Sequence, residues 1–135
     1  MPSESPASRD QFAKHLEIET VSWQEGHAKV RLVFKPYFLN GAGLVHGGVI
    51  FSLADYAFAL AANSPSESGL AVNASIHFIK AARAGDELFA EAKLISRSRR
   101  LGTYQITVTD QNGVVLALAQ SMAYLKQDRS SDAKA

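Results

Sequence analysis

Apolar and polar positions alternate with a period of two over much of this chain, which is the mark of half-buried β-strands. In "HAKVRLVF", Val30, Leu32 and Phe34 alternate with Lys29 and Arg31. With "TVSWQE" before Gly26, this stretch predicts a hairpin that Pro36 ends. In "DELFAEAKLISRS", Leu88, Ala90, Ala92 and Leu94 fall on one face. "GLAVNASIHFIK" is mostly apolar and β-branched, and "GTYQITVTD" and "VVLALAQSMAYL" flank "DQNG". Asn112-Gly113 there is a strong hairpin signal, because both residues accept positive φ. The period changes over Gly47 to Ala62, where Val49, Ile50, Phe51, Leu53, Ala54, Ala57, Phe58, Leu60 and Ala61 fill every sector of a helix. Asn63, Pro65 and Gly69 mark its end. "SRDQFAKHL", Ser8 to Leu16, predicts a short helix capped by Ser8 or Asp10. The expected order is a short helix, two strands, a long helix and three strands. That makes an α+β fold in which a curved antiparallel sheet wraps the apolar helix.

Composition narrows the class. At 135 residues, with 47% hydrophobic and 20% charged positions, one domain over residues 9–127 is expected, with loose ends at 1–8 and 128–135. The absence of cysteine excludes disulfides, thiolate nucleophiles and cysteine metal sites. A net charge of +1 argues against a general nucleic-acid or membrane surface. "MPSESPASRD" has neither the positive start nor the apolar stretch of a signal peptide, and no run is long enough to span a bilayer, so a cytoplasmic protein is expected.

The long helix carries one charge, Asp55. An isolated carboxylate on a buried helix is costly, so it is hydrogen-bonded structurally, neutralised or used in chemistry. At the helix start, Gly47 and Gly48 let a ligand approach free N–H groups where the helix favours developing negative charge. Eight residues separate Gly47 from Asp55, about 12 Å of helical rise. A base and an oxyanion donor serving one carbonyl must each come within about 3 Å of the reacting atoms. If both act on one substrate they come from two copies of the chain, as a two-fold dimer would arrange. The glycine spacing is not that of a dinucleotide loop, and no GxSxG nucleophile elbow is present. The four histidines, His15, His27, His46 and His77, show no metal-ligand spacing, so no metal is expected.

"NGAGLVHGGVIFSLADYAFALAANS" resembles the signature of hotdog-fold acyl-CoA thioesterases of the phenylacetate-degradation type. The resemblance rests on Asn40, Gly41, Gly43, His46, Gly47, Gly48, Phe51, Leu53, Asp55, Ala57, Phe58, Asn63 and Ser64. It implies a five-stranded antiparallel sheet around a long central helix, dimers formed through sheet edges and, in many relatives, paired into tetramers. It implies that Asp55 is the catalytic carboxylate, as general base or nucleophile, and that the Gly47 N–H polarises the thioester carbonyl. Asn40 falls where the family places an orienting amide, and His46 is read as positional. Position 59, where some relatives carry a hydroxyl, is Ala59 here.

The expected substrate is an aryl or short-to-medium acyl-CoA, with coenzyme A as part of the substrate and no separate cofactor. Lys80, Arg83, Arg97, Arg99 and Arg100 concentrate in "KAARAGDE" and "SRSRRLG". They read either as solvated loop charge or as a site for the coenzyme A phosphates. Asn73, Ser75 and His77 share one face of their strand and are candidates for lining the acyl pocket. A rival reading is a non-catalytic acyl-CoA sensor on the same fold. A hydratase of this fold would need a differently placed histidine–acid pair than His46 with Asp55.

Overall fold

The computed structural model describes residues 6–127. In chain order it has a 3₁₀ turn (Pro6–Arg9), helix α1 (Gln11–Leu16), strands β1 (Glu19–Gln24) and β2 (His27–Leu32), a second 3₁₀ turn (Pro36–Phe38), helix α2 (Gly47–Ala62), and strands β3 (Glu67–Phe78), β4 (Leu88–Arg97), β5 (Leu101–Thr109) and β6 (Val115–Gln127). Residues 1–5 and 128–135, most of the expected loose ends, lie outside the described residues. The first turn carries Ala7 into the core. Asp10 is the cap of α1, its carboxylate accepting from Ala13 N at 3.0 Å.

The six strands form one antiparallel sheet in the order β1-β2-β4-β5-β6-β3. This is the hotdog arrangement with one strand more than the five expected. The four alternating stretches after α2 each form a strand, β3 to β6, one more than the three in the expected order. Ser98 N donates to Leu101 O at 2.9 Å, closing a tight β4–β5 turn.

Period-two patterning decides which face meets the helix. Val30 lies opposite Ala90, Ala90 opposite Val108, and Val108 opposite Ala117, and all four are buried. Alanines at every second position keep this face shallow, so the buried Leu53, Ala57 and Leu60 of α2 approach closely. Leu94 keeps the expected face, opposite Tyr104, but sits at the rim beside Gly26 and is 36% exposed. Two polar ties fix the far end of α2. Trp23 Nε1–H donates to Leu60 O at 2.6 Å, and Asn63 donates from Nδ2 to Ala59 O at 2.8 Å while accepting from Gly69 N at 3.1 Å.

The closeness of β3 to that end requires glycine. A Cβ at Gly69 would lie 2.7 Å from Ala62 Cβ and 2.8 Å from Ala62 O. Backbone cannot swing aside, so Gly69→Ala is expected to lower stability by about 1–3 kcal/mol, read as a fall in the thermal midpoint.

One expectation needs correction. Although α2 is apolar nearly all round, the sheet covers only part of it. Gly48 and Asp55 are exposed in the single chain, and Ser52 and Ala59 are half-buried. These four recur at i, i+4, i+7 and i+11, an uncovered stripe along the helix. Asp55 therefore lies on an open face rather than in the core. Among the described residues no helix is long and apolar enough to cross a membrane.

Candidate active site

The loop before α2 is wound around Asn40. Its Oδ1 accepts from Ala42 N at 2.9 Å and Leu44 N at 3.1 Å, and its own N–H donates to Leu44 O at 2.7 Å. His46 follows as the helix cap, with Nδ1 accepting from Gly48 N at 2.8 Å. Nδ1 accepts only with its lone pair free, so in this arrangement the imidazole N–H is on Nε2. The bond also consumes the Gly48 donor. Of the glycine pair, only Gly47 has an N–H with no acceptor among the described residues.

That donor opens into a cleft of about 280 Å³ lined by Asn40, Gly47, Ile50, Phe78, Lys80 and Ala82, among others. A Cβ at Gly47 would lie 3.3 Å from the Phe78 ring, so glycine lets that ring pack closely beside the helix start. The Asn40 side-chain NH₂ has no acceptor among the described residues, because only the oxygen is used by the loop. Asn40→Asp retains that acceptor but deletes the donor, whereas Asn40→Ala also leaves two loop N–H groups unpaired. Both are expected to slow turnover about tenfold or more, and only Asn40→Ala to lower the thermal midpoint, by about 1–2 kcal/mol of stability.

Asp55 lines a different cleft, about 240 Å³, with Asp10, Phe12, Ile18, Phe51, Ser52 and Tyr56. Although Asp55 stays open to solvent on one side, partial desolvation by these walls, and secondarily the charge of Asp10, push its carboxyl above the usual aspartate range. The carboxylate receives no hydrogen bond from any described residue. Ser52 directs its hydroxyl hydrogen to Gly48 O at 2.7 Å instead. The two clefts share no lining residue, so one chain keeps the acid and the free amide apart, as their spacing requires.

The basic candidates divide between the two ends of α2. Lys80 lines the Gly47 cleft, and Arg83 pairs with Leu44 of the same loop. Arg97, by contrast, is ion-paired with Glu67 and donates to Ser98 O and Arg99 O. Arg100 lies over the Tyr124 ring at 6.0 Å, and Arg99 sits in the same β4–β5 turn. That turn adjoins the start of β3, by the C-terminal end of the 16-residue α2, about 24 Å of helix from Gly47. Arg97, Arg99 and Arg100 therefore cannot serve phosphates beside the Gly47 of their own chain.

Asn73 and Ser75 also line neither cleft. They pair with Met122 and Gln120, while Ala74 and Ile76 take the helix-facing positions opposite Ser121 and Ala119. Strand parity thus turns Asn73, Ser75 and His77 to the outer face, away from α2. Sequence reasoning missed Phe12, Phe51 and Tyr56 as walls of the Asp55 cleft and Phe78 as the wall beside Gly47. The Asp10 cap was legible, but nothing in the sequence brings it to Asp55. Among the described residues, no three His, Asp or Glu side chains group as a metal site.

Comparison with known proteins agrees with this architecture. The thioesterase superfamily model matches residues 42–117, more than half the chain. Acyl-coenzyme A thioesterase PaaI of Escherichia coli is 36% identical over 115 residues, covering 85% of this chain and 82% of that protein. The solved structure of the E. coli PaaI protein from the phenylacetic acid degradation operon superposes with a TM-score of 0.82, covering 86% of this chain and 84% of that one. Smu.793 of Streptococcus mutans, solved bound to acetyl CoA, gives 0.77 at 27% identity, over 82% and 90% of the two chains. With its open acid-bearing helix, its free Gly47 amide and this likeness over most of its length, the chain belongs to the thioesterase superfamily, as a hotdog-fold thioesterase of the phenylacetate-degradation type.

Proposed function

We propose that the protein hydrolyses acyl-CoA thioesters with neutral aryl or short-to-medium acyl groups, giving the free acid and coenzyme A. The observation that carries this reading is the pair of half-sites: a carboxylate without a hydrogen-bond donor in one cleft and a helix-start N–H without an acceptor in another. Asp55 takes a proton from water as its oxygen attacks the thioester carbon, or attacks that carbon itself. The Gly47 N–H receives the developing oxyanion, assisted by the Asn40 amide. In the base route the C–S bond then breaks and the proton held by Asp55 passes to sulfur, so coenzyme A leaves as the thiol. In the nucleophile route C–S cleavage leaves an anhydride on Asp55, which water hydrolyses to the free acid and the carboxylate, its proton going to the thiolate. Water, acid and amide suffice, without metal or redox cofactor. Acetyl CoA bound to the S. mutans relative supports the substrate class, and the phenylacetic acid degradation operon to which E. coli PaaI belongs supports an aryl preference.

In this reading two chains pair so that Gly47 of each meets Asp55 of the other. The free edge strand β3 supports that pairing. Leu70 is 71% exposed and Phe78 55% exposed, with Val72 and Ile79 also open, an unusual apolar load for an unpaired edge. Phe78 also walls the Gly47 cleft, so whatever covers this edge adjoins the donor. Lys80 and Arg83 are the basic residues beside that cleft suited to the coenzyme A phosphates, and Arg97, Arg99 and Arg100 reach a site only from a partner chain. Free-thiol release from a panel including phenylacetyl-CoA and its hydroxylated relatives tests the reading. Stoichiometric acyl-CoA binding in calorimetry without thiol release would replace it with the sensor.

A further inference from the structure

The segment from Asp10 to Ile18 contributes four walls to the Asp55 cleft, Asp10, Phe12, Ala13 and Ile18, although it lies far from Asp55 in sequence. It is also fastened at both ends. Asp10 caps α1 through Ala13 N. Glu17 closes it in the left-handed region (φ 63°), with its N–H donating to the Ala13 and Lys14 carbonyls and its carboxylate paired with Lys35 at 3.0 Å. Ala13 and Leu16 are buried, so α1 is a seated element. Phe12 is nevertheless 60% exposed, an aromatic ring held at the cleft with little protein to pack on. Asp10 places a second carboxylate beside Asp55, and no Lys, Arg or His lines this cleft.

Resting on the thioesterase reading above, we propose that α1 is the selectivity wall of the acyl site. Phe12 supplies contact area for a planar or apolar acyl group, and the Asp10 charge rejects acyl groups that carry a carboxylate of their own. An acyl carboxylate here would face Asp10 and Asp55 with no cation in the lining that α1 and α2 supply, Lys80 of the facing Gly47 cleft being assigned above to the coenzyme A phosphates. The same field expels the product acid, which leaves hydrolysis as a new carboxylate, whereas an uncharged acyl group enters without that penalty. Asp10 is therefore a positioning and selectivity residue that touches no reacting atom.

The test uses the full chain and three substrates: phenylacetyl-CoA, butyryl-CoA and succinyl-CoA, the last two similar in chain length and different in charge. Wild type is expected to favour butyryl-CoA over succinyl-CoA by about 100-fold or more in kcat/KM. Asp10→Asn keeps a capping side chain and removes the charge. It is expected to narrow that ratio about tenfold and to move the acid limb of the pH profile downward, with an unchanged melt. Phe12→Ala alters an exposed position and is expected to lower kcat/KM for phenylacetyl-CoA about tenfold relative to butyryl-CoA, mainly through KM. Turnover with both ratios unchanged in the two variants overturns the assignment to α1 alone. Absence of thiol release from all three substrates by the wild-type chain overturns the thioesterase reading, and this inference with it.

Discussion

Asp55→Asn is expected to cut thioester turnover by about 10²–10⁴-fold while leaving the protein as stable as wild type or more so. The two effects share one cause. Apolar walls and Asp10 raise the carboxyl pKa in the folded state above the ordinary aspartate value of about 3.9. Between the unfolded and folded pKa values the folded chain then binds more protons than the unfolded one, so stability falls as pH rises through that window. Above the folded pKa the full cost of holding the charge is present. Asparagine removes the charge with little change of shape, and with it both the cost and the chemistry. Thiol-release kinetics beside thermal melts across the range from about pH 4 upward read both halves, the variant's stability gain growing as pH rises through the folded pKa. The wild-type kcat/KM should fall on the acid side with an apparent pKa above 3.9, because only the ionised carboxylate accepts a proton or attacks carbon. A folded Asp55→Asn protein with full activity would end the proposed mechanism.

Gly47→Pro is expected to cost about 10²–10³ in kcat, because it deletes the one free N–H at the helix start. Residue 47 is the first helical position, where proline is tolerated, and His46 before it has φ −61° and ψ 135°, the extended geometry a following proline demands. The fold should therefore survive. Gly47→Ala is the control: it adds the same Cβ against Phe78 but keeps the donor, and should lose far less. Mixing the two dead proteins tests the shared site directly. If each reaction centre takes Asp55 from one chain and Gly47 from its partner, a mixed dimer of Asp55→Asn with Gly47→Pro holds one intact centre and one doubly damaged centre. Random exchange of equal amounts makes half the dimers mixed, so activity should return to about a quarter of wild type. No recovery after demonstrated subunit exchange would mean that each chain completes its own site.

Much of the framework was legible because it obeys simple periodicities. The helix over Gly47–Ala62 has the bounds that the break in alternation implied, and the turns at Gly26 and Asn112-Gly113 join the strands expected of them. The glycine and histidine before α2 were legible as a helix start, but not that His46 would cap it by accepting from Gly48 N. Other features depend on geometry that one-dimensional patterning does not carry. Six alternating stretches were legible, but not their order in the sheet, which places β3 beside β6 rather than beside β4. Asn73 and Ser75 share a face, as alternation requires, but which face depends on the pairing with β6. The basic residues look like one population in sequence and lie at opposite ends of α2.

The sequence by itself determined the local chemistry: a helix with one acid, a glycine at its first position, and a spacing too long for both to reach a single carbonyl. Those follow from helix rise and side-chain type, which need no partner. Tertiary structure alone decided that the acid lies on an uncovered stripe, that Gly48 loses its donor while Gly47 keeps one, and that α1 brings Asp10 and Phe12 to Asp55. Each of these depends on which surfaces the curved sheet and the first helix cover, and coverage is a property of packing between segments distant in the chain.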